Sequence, residues 1–365
     1  MKKLLIFHPT IAPYRIDFFN DLNKTFNTRV CLRFHNLKTQ KFDYSKITAQ
    51  FEFSPKYQDN GKEGHSKKFY WNNLDEFNPD IVIVEEFSIT AVYVLLHRFV
   101  KRKKYKVISI CDDSYNMIVE KNDFTRIHRL ARKFIVPRLD GMILVEPMVA
   151  KWYQEHYKKG IFFPIIKPDE KARTEYGRIL PESQDTAEKY SLIGKKVFLF
   201  VGRLVALKNV ENAIRAFSRL NQEENVFVIV GDGPKKENLT ALSNKLGANT
   251  IFTGRLEGDN LNVWYNIAQI FILPSYQEAF GAVTNEALLA GCKAIVSKKA
   301  GSQCLVKNGT NGYIINPNDI DDIAEKMTKA SHETTPLDKV VLKENAMRHS
   351  YQELINNVIQ YIKEI

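Results

Sequence analysis

Two carboxylates eight residues apart bracket a glycine in the run Glu278-Ala279-Phe280-Gly281-Ala282-Val283-Thr284-Asn285-Glu286-Ala287. The run follows Leu273-Pro274-Ser275, which reads as the end of a strand, and Gly281 is predicted to open a helix with Glu286 one to two turns in. Bare N–H groups at such a start, near Gly281, Ala282 and Val283, attract an anion. Carboxylates accept hydrogen bonds from pairs of hydroxyls. Glu278 at the mouth and Glu286 deeper on the helix can therefore hold two polyols, a sugar and a ribose, on either side of a pyrophosphate. Acids near a helix start are common in any protein, so the pattern gains weight only from its neighbours.

Those neighbours lie upstream. Gly202-Arg203-Leu204 follows the apolar run Phe198–Val201, and Lys208-Asn209 leads into a helix. A glycine at the C-terminal end of a strand lets the backbone approach a ligand, and open α/β sheets bind ligands at that edge. Arg203 supplies a planar fork and Lys208 a point charge, a pairing suited to a diphosphate; a surface Arg and Lys on an ordinary βα loop would look the same. Gly231-Asp232-Gly233-Pro234 follows the strand Val226–Val230. It matches neither the dinucleotide nor the phosphate-loop pattern, and by itself it is a tight strand-to-helix turn with Pro234 suited to the first helical position.

Taken in order and spacing, these motifs resemble those of the retaining glycosyltransferases of family 4. They are Gly202-Arg203-Leu204 with Lys208-Asn209, Gly231 to Pro234, Phe252-Thr253-Gly254, Leu273-Pro274-Ser275, and Glu278 to Ala287. The resemblance covers about residues 197–313 and implies the GT-B fold, α/β with two facing Rossmann-like domains and an interdomain cleft. It implies that Arg203 and Lys208 neutralise the leaving nucleoside diphosphate and that Glu286 holds the ribose. It also implies that Glu278 holds the transferred sugar beside Phe280 and Gly281, while Gly231, Gly233, Phe252, Gly254 and Arg255 wall the base pocket. No cofactor is implied beyond the nucleotide sugar as co-substrate, and no metal, since Arg, Lys and helix amides take the place of a divalent ion. The implied reaction retains configuration: the departing phosphate oxygen accepts the acceptor's proton, so no separate base is needed. The family's Gly-x-Pro is replaced by Gly291-Cys292-Lys293, a turn change, and Cys304 stands where the family often has Glu.

Positioning such residues requires parallel α/β domains, and short β-rich runs alternating with helical patterns supply the signature. Strands are predicted in the first half at Lys3–His8, Arg29–Arg33, Ile81–Glu85, Val107–Ile110 and Met142–Val145, with Phe162–Ile166 leaving the domain. Helices are predicted near Tyr14–Lys24, Ile89–Val100, Asp123–Val136 and Met148–Tyr157. Thr39–Phe69 is polar and aromatic without clear period, either antiparallel strands or a long loop. In the second half, strands are predicted at Lys196–Val201, Val226–Val230, Thr250–Phe252, Ile270–Leu273, Ala294–Ser297 and Gly312–Ile315. The domains expected are 1–167 for the acceptor, 168–195 as a linker with one short helix at Ser183–Tyr190, and 196–343 for the donor. The last stretch, 344–365, is expected to be a helix packing back towards the first domain.

In the first half the motif match is thinner. Pro13-Tyr14-Arg15 replaces the family's Gly-rich loop, and Cys111-Asp112-Asp113-Ser114 stands where a His-Asp is common. Arg15 is a candidate for donor phosphates or an anionic acceptor, and Asp112 or Asp113 for acceptor hydroxyls; a helix-surface Arg and helix caps are the plainer readings. Glu85, Glu86 and His8 are lesser candidates. Net charge is +11, and residues 1–190 carry 33 Lys and Arg against 24 Asp and Glu. That excess suggests an anionic partner or a solvated surface. The run Lys101-Arg102-Lys103-Lys104, with Arg126, Arg129, Arg132 and Lys133, marks a candidate membrane-facing patch.

No stretch is apolar enough to span a bilayer, the N-terminus has no cleavage site, and the four cysteines form no CxxC. The expectation is a cytoplasmic protein, peripheral on the inner face of the membrane. Its partners would be a nucleotide sugar and a glycan or lipid-linked acceptor, as in bacterial surface polysaccharide or lipopolysaccharide synthesis. The alternatives are a nucleotide-sugar 2-epimerase of the same architecture and a non-catalytic anion-binding protein. Nucleic acid is disfavoured because no RRM, KH or helix-turn-helix pattern accompanies the lysines.

Overall fold

The computed structural model describes residues 1–11, 13–35, 44–54, 66–113, 115, 118 and 126–365. The chain divides into two units, Met1–Ile165 with Gln352–Ile365, and Ile166–Tyr351.

In the first unit, β1 (Lys3–His8), β2 (Asn27–Leu32), β3 (Gln50–Phe53), β4 (Ile81–Glu85), β5 (Lys106–Cys111), β6 (Gly141–Leu144) and β7 (Ile161–Phe162) form one parallel sheet. Their order is β3-β2-β1-β4-β5-β6-β7. The central strands are apolar on both faces, as a sheet covered by helices on both sides requires. The helices are α1 (Pro13–Thr25), α2 (Lys67–Phe77), α3 (Ile89–Val100), α4 (Arg126–Ile135) and α5 (Pro147–Tyr157). The sequence pattern missed α2 and the parallel β3. The helix has a real signature: Ser66 accepts the Phe69 N–H at its start, Asn78 closes it in the left-handed region, and Phe69, Tyr70, Asn73, Leu74 and Phe77 form its buried face. The predicted start of α4 at Asp123 lies outside the described residues, as do 39–43 and 55–65 of the aperiodic stretch.

The second unit repeats the plan. Strands β8 (Lys196–Val201), β9 (Asn225–Val230), β10 (Thr250–Gly254), β11 (Ile270–Leu273), β12 (Lys293–Ser297) and β13 (Gly312–Ile315) are all parallel, in the order β10-β9-β8-β11-β12-β13. Helices α6 (Asp169–Arg178), α7 (Leu180–Lys189), α8 (Val210–Phe217), α9 (Lys236–Leu246), α10 (Asp259–Ile267), α11 (Val283–Leu289) and α12 (Ile320–His332) surround them. Its core is aromatic, with Phe198, Phe200, Phe217 and Phe227 packed among Ile214, Ile229 and Met327.

One expectation needs correction here. Residues 168–195 are not a linker with one helix. They form both α6 and α7, which bury Ala172, Tyr176, Ser183 and Ala187 and belong to the second unit. Their charged, Pro-containing outer faces conceal a small apolar stripe. The last helix, α13 (Tyr351–Glu364), belongs to the first unit from Gln352 onward. Its Tyr361 hydroxyl accepts the Met142 N–H at 3.2 Å, and a side chain at Gly141 would collide with Tyr361 and Ile365. Ile355, Val358 and Ile362 form its fully buried stripe. Truncating one of them should therefore open a cavity: Ile355→Ala is expected to cost about 3 kcal/mol in urea unfolding. A loss well under 1 kcal/mol would mean that α13 is not docked.

Candidate functional site

In the second sheet the strand order reverses between β8 and β11, the position at whose C-terminal edge open α/β sheets bind ligands. The sequence-selected motifs sit on those loops. Gly202, Arg203 and Leu204 follow β8, and Pro274, Ser275 and Tyr276 follow β11. Two bonds tie the loops together: the Tyr276 N–H donates to Leu207 O at 2.9 Å, and Asn209 Nδ2 donates to Pro274 O at 3.1 Å. Asn209 also donates to Pro317 O at 2.7 Å. It is buried and left-handed (φ 54), closing the single 3-10 turn Ala206–Lys208 that ends in Lys208. The sequence reading gave Asn209 no role beyond entering a helix; its buried amide holds the lysine loop to the neighbouring strand.

The Gly231–Gly233 turn packs directly on the Arg203 loop. Gly202 N–H donates to Val230 O at 3.0 Å and Leu204 N–H to Asp232 O at 2.8 Å. At Gly231 (φ +154) a Cβ would lie 1.9 Å from Gly202 O, so the close approach admits only glycine. On the next strand Gly254 O accepts the Gly231 N–H at 2.8 Å. Phe252, on β10, is half-buried and packs against the aromatic core. Arg255 is exposed and paired with Glu257.

Gly281 precedes α11 by two residues, and Glu286 falls in its first turn. Gly281 has φ +92, and a side chain there would meet Leu273, Ser302 and Glu278. The stretch before it lies against the loop after β12: Gly301 N–H donates to Glu278 O at 3.2 Å and Ser302 N–H to Phe280 O at 2.7 Å. Phe280 is buried beneath the loop and Ala279 is exposed. The N–H groups of Thr284, Asn285 and Glu286 donate within the turn. Those of Gly281, Ala282 and Val283 donate to no group among the described residues.

Both carboxylates are held by cations. Lys208 forms an ion pair with Glu278, both partly buried. Glu286 receives Lys167 Nζ at 2.7 Å on one oxygen and the Tyr265 hydroxyl at 2.9 Å on the other. Burial first, and then the Glu286 charge, push the Tyr265 hydroxyl well above its ordinary value, so it remains a donor. Lys167 is itself placed by its backbone N–H on Asn285 Oδ1 at 2.9 Å. Lys167 and Tyr265 escaped the sequence reading: Lys167 lies beside Pro168 outside every motif, and Tyr265 has the pattern of an ordinary core tyrosine of α10. Arg203 is exposed and has no ion-pair partner among the described residues. The site thus offers one uncommitted guanidinium, three undonated amides and two carboxylates already fixed in place.

The corresponding edge of the first unit carries a different set. Arg15, expected to face an anion, is only 2% exposed and donates to Asp112 Oδ1 at 2.6 Å. Asp112 is the exposed member of that pair. Asp113 is buried, and burial raises its pKa; Glu86 is raised by burial and then by the charges of Asp113 and Asp112. Glu85 is paired with Arg33, yet burial lifts it to about 7. His8 is pushed down to about 4 by burial and then by Arg15. Its Nδ1 lies 2.5 Å from Thr10 O, so the neutral ring donates from Nδ1. This edge can hold hydroxyls and protons, whereas the second unit's edge suits an anion flanked by hydroxyls.

Comparison with known proteins follows this division. Residues 183–349 match the family described as glycosyl transferases group 1. An uncharacterised glycosyltransferase of Methanocaldococcus jannaschii is 36% identical over 133 residues, 36% of this chain and 34% of that protein. The chain thus spans about a third of that relative's length. A 2-deoxystreptamine N-acetyl-D-glucosaminyltransferase of Niallia circulans is 26% identical over 266 residues, covering 58% of this chain and 68% of that protein. The crystal structure of Anabaena HepE in complex with UDP superposes with a TM-score of 0.74 at 16% identity, covering 100% of this chain and 99% of that one. That likeness shows the fold, two parallel α/β sheets of the GT-B kind. Residues 183–349, most of the second unit, are thus similar to the group 1 glycosyl transferases.

Proposed function

We propose that the chain transfers a sugar, with retained configuration, from a UDP- or GDP-sugar to a hydroxyl of a glycan or lipid-linked acceptor, in the synthesis of a surface polysaccharide or lipopolysaccharide. The observation that carries this reading is the arrangement around Gly281. Three amides without acceptors stand between two carboxylates, each already gripped by a lysine. A diphosphate would take the amides of Gly281, Ala282 and Val283 and the Arg203 guanidinium. Glu286 would receive the ribose hydroxyls. Its oxygens accept from Lys167 and Tyr265, and each keeps a further lone pair for a hydroxyl. Glu278 would do the same for the transferred sugar, while Lys208 shares its charge between Glu278 and the phosphate.

On this reading the bond from the anomeric carbon to the diphosphate oxygen breaks as positive charge grows on the sugar. The acceptor oxygen bonds to that carbon on the same face, and its proton passes to the departing diphosphate. The protein's main contribution is fixed positive charge where the diphosphate becomes free, so the reaction calls for no metal. Asp112, the exposed member of its pair, is the candidate for acceptor hydroxyls. The reading is supported by the Niallia circulans relative, an N-acetylglucosaminyltransferase by name, and by the UDP held in the Anabaena structure.

Two sets of substitutions test it. Lys208→Ala and Glu286→Ala should each reduce donor hydrolysis and transfer on the order of 10²–10³-fold across a panel of nucleotide sugars, with unfolding midpoints near wild type. Near-normal turnover in both would refute the site. Asn209→Ala should cost about 2 kcal/mol of stability by removing the Asn209 donor from the buried Pro274 carbonyl and leaving Pro317 O with Asn212 alone. It should also weaken nucleoside-diphosphate binding in calorimetry, because the Lys208 turn loses its tether. Unchanged affinity would mean that the tether does not position the lysine.

A further inference from the structure

Glu286 is gripped at three atoms by side chains from segments that lie far apart in the chain. Lys167, before α6, places its Nζ 2.7 Å from one carboxylate oxygen. Tyr265, on α10, donates its hydroxyl to the other at 2.9 Å. Tyr176, on α6, donates its hydroxyl to the Glu286 carbonyl at 3.1 Å. Each donor is itself fixed. The Lys167 N–H donates to Oδ1 of Asn285, which is buried. Tyr176 and Tyr265 are enclosed, and their rings lie 6.4 Å apart. The helices that carry them are tied as well: Asn266 Nδ2 donates to Tyr176 O at 2.9 Å and to Ser183 Oγ at 3.1 Å. Lys343 Nζ donates to the Tyr265 carbonyl at 3.3 Å and to that of Asn266. A cation on the last carbonyls of a helix is favourable, so Tyr265 is anchored by its backbone as well as by its ring.

The use of such a clamp follows from the chemistry of a carboxylate. The last torsion of a glutamate side chain is broad and roughly two-fold, so an untethered carboxylate turns freely. A ribose presents its 2′ and 3′ hydroxyls side by side. Accepting from both at once takes one oxygen for each, held in one plane. Lys167 and Tyr265 set that plane with one donor on each oxygen, and each oxygen keeps a further lone pair. The Glu286 side chain remains 16% exposed, which leaves it open to an approaching hydroxyl pair. A nucleotide lacking one hydroxyl would leave an oriented lone pair without a donor. A site built to hydrogen-bond a hydroxyl rejects the analogue without it far more strongly than one shaped by apolar contact alone.

We infer that Lys167 and Tyr265 are positioning residues that make Glu286 a two-pronged acceptor for the ribose hydroxyls, and that they set the preference of this unit for ribonucleotides over 2′-deoxyribonucleotides. The inference rests on the reading of Glu286 as the ribose ligand. Calorimetry on the full chain with UDP, GDP and their 2′-deoxy counterparts tests it. The wild-type chain should bind the better ribonucleotide about ten- to a hundredfold more tightly than its 2′-deoxy form, the worth of a hydrogen bond to a charged group. Tyr265→Phe keeps the ring and Lys167→Met keeps the stem. Each should narrow that ratio about fivefold or more, and in Tyr265→Phe the 2′-deoxy affinity should hold while the ribonucleotide weakens. Lys167→Arg, which retains a charged donor, should keep the ratio. A role in folding alone would lower both affinities together with the ratio intact, and that result would overturn the inference. Glu286→Ala separates the two claims. If it leaves the ratio untouched, the ribose lies elsewhere and the proposed site fails. If it removes the ratio while Tyr265→Phe and Lys167→Met both keep it, the site stands and the clamp is overturned.

Discussion

The second unit depends on how closely three loops approach one another at the C-terminal ends of β8, β9 and β10. The Gly202 loop, the Gly231 turn and the end of β10 are joined by backbone hydrogen bonds running from one strand end to the next. Backbone groups that bond to each other at a sheet edge need no side chain to satisfy them, so the loops stay short and rigid. The cost falls on residue choice. A methyl group at Gly231 would overlap the Gly202 carbonyl, and one at Gly281 would strike three side chains. Glycine here is required by contact as much as by backbone angle. The rigidity is what lets Asn209, buried against two carbonyls, fix the turn that carries Lys208.

On that frame the charges are arranged to be ready. Pairing with Lys208 and Lys167 holds Glu278 and Glu286 in place without consuming every lone pair. The two pairs are only partly buried, so neither bears the full desolvation penalty of an interior ion pair. Arg203 is exposed and has no acid paired with it among the described residues. The first unit treats charge differently: Arg15 and Arg33 are committed to Asp112 and Glu85, and burial shifts Glu85, Asp113 and His8 towards their neutral forms. Two sheets of the same strand order thus present chemically unlike edges.

Much of this was legible from residue order. Strand ends followed by glycine located the second-unit loops, and the spacing from Gly202 to Glu286 gave the set of residues that those loops carry. The misses have physical causes. Lys167 reaches Glu286 from a segment whose only sequence signal is the Pro168 after it, and contacts between distant segments leave no local period. Helices α6 and α7 resembled linker because only two positions in each are buried, too few to dominate their charged composition. Helix α2 was hidden by aromatic residues, which serve strands as readily as helices; its Ser66 cap and left-handed Asn78 were the usable signals.

The basic character of the first half also changes meaning once its charges are located. A diffuse excess would matter little, since exposed charges are screened beyond about 8 Å at physiological salt. Several first-unit cations are in fact neutralised locally, Arg15 by Asp112, Arg29 by Glu76, Arg33 by Glu85 and Arg98 by Asp140. The cations that α3, α4 and the turn after α3 present without acids lie within one short stretch of surface, close enough to act together. They surround side chains that water solvates poorly. Neither feature alone would define a partner: an apolar groove accepts many occupants, and a basic patch many anions. Their coincidence on one face sets this surface apart from the first unit's locally neutralised charges.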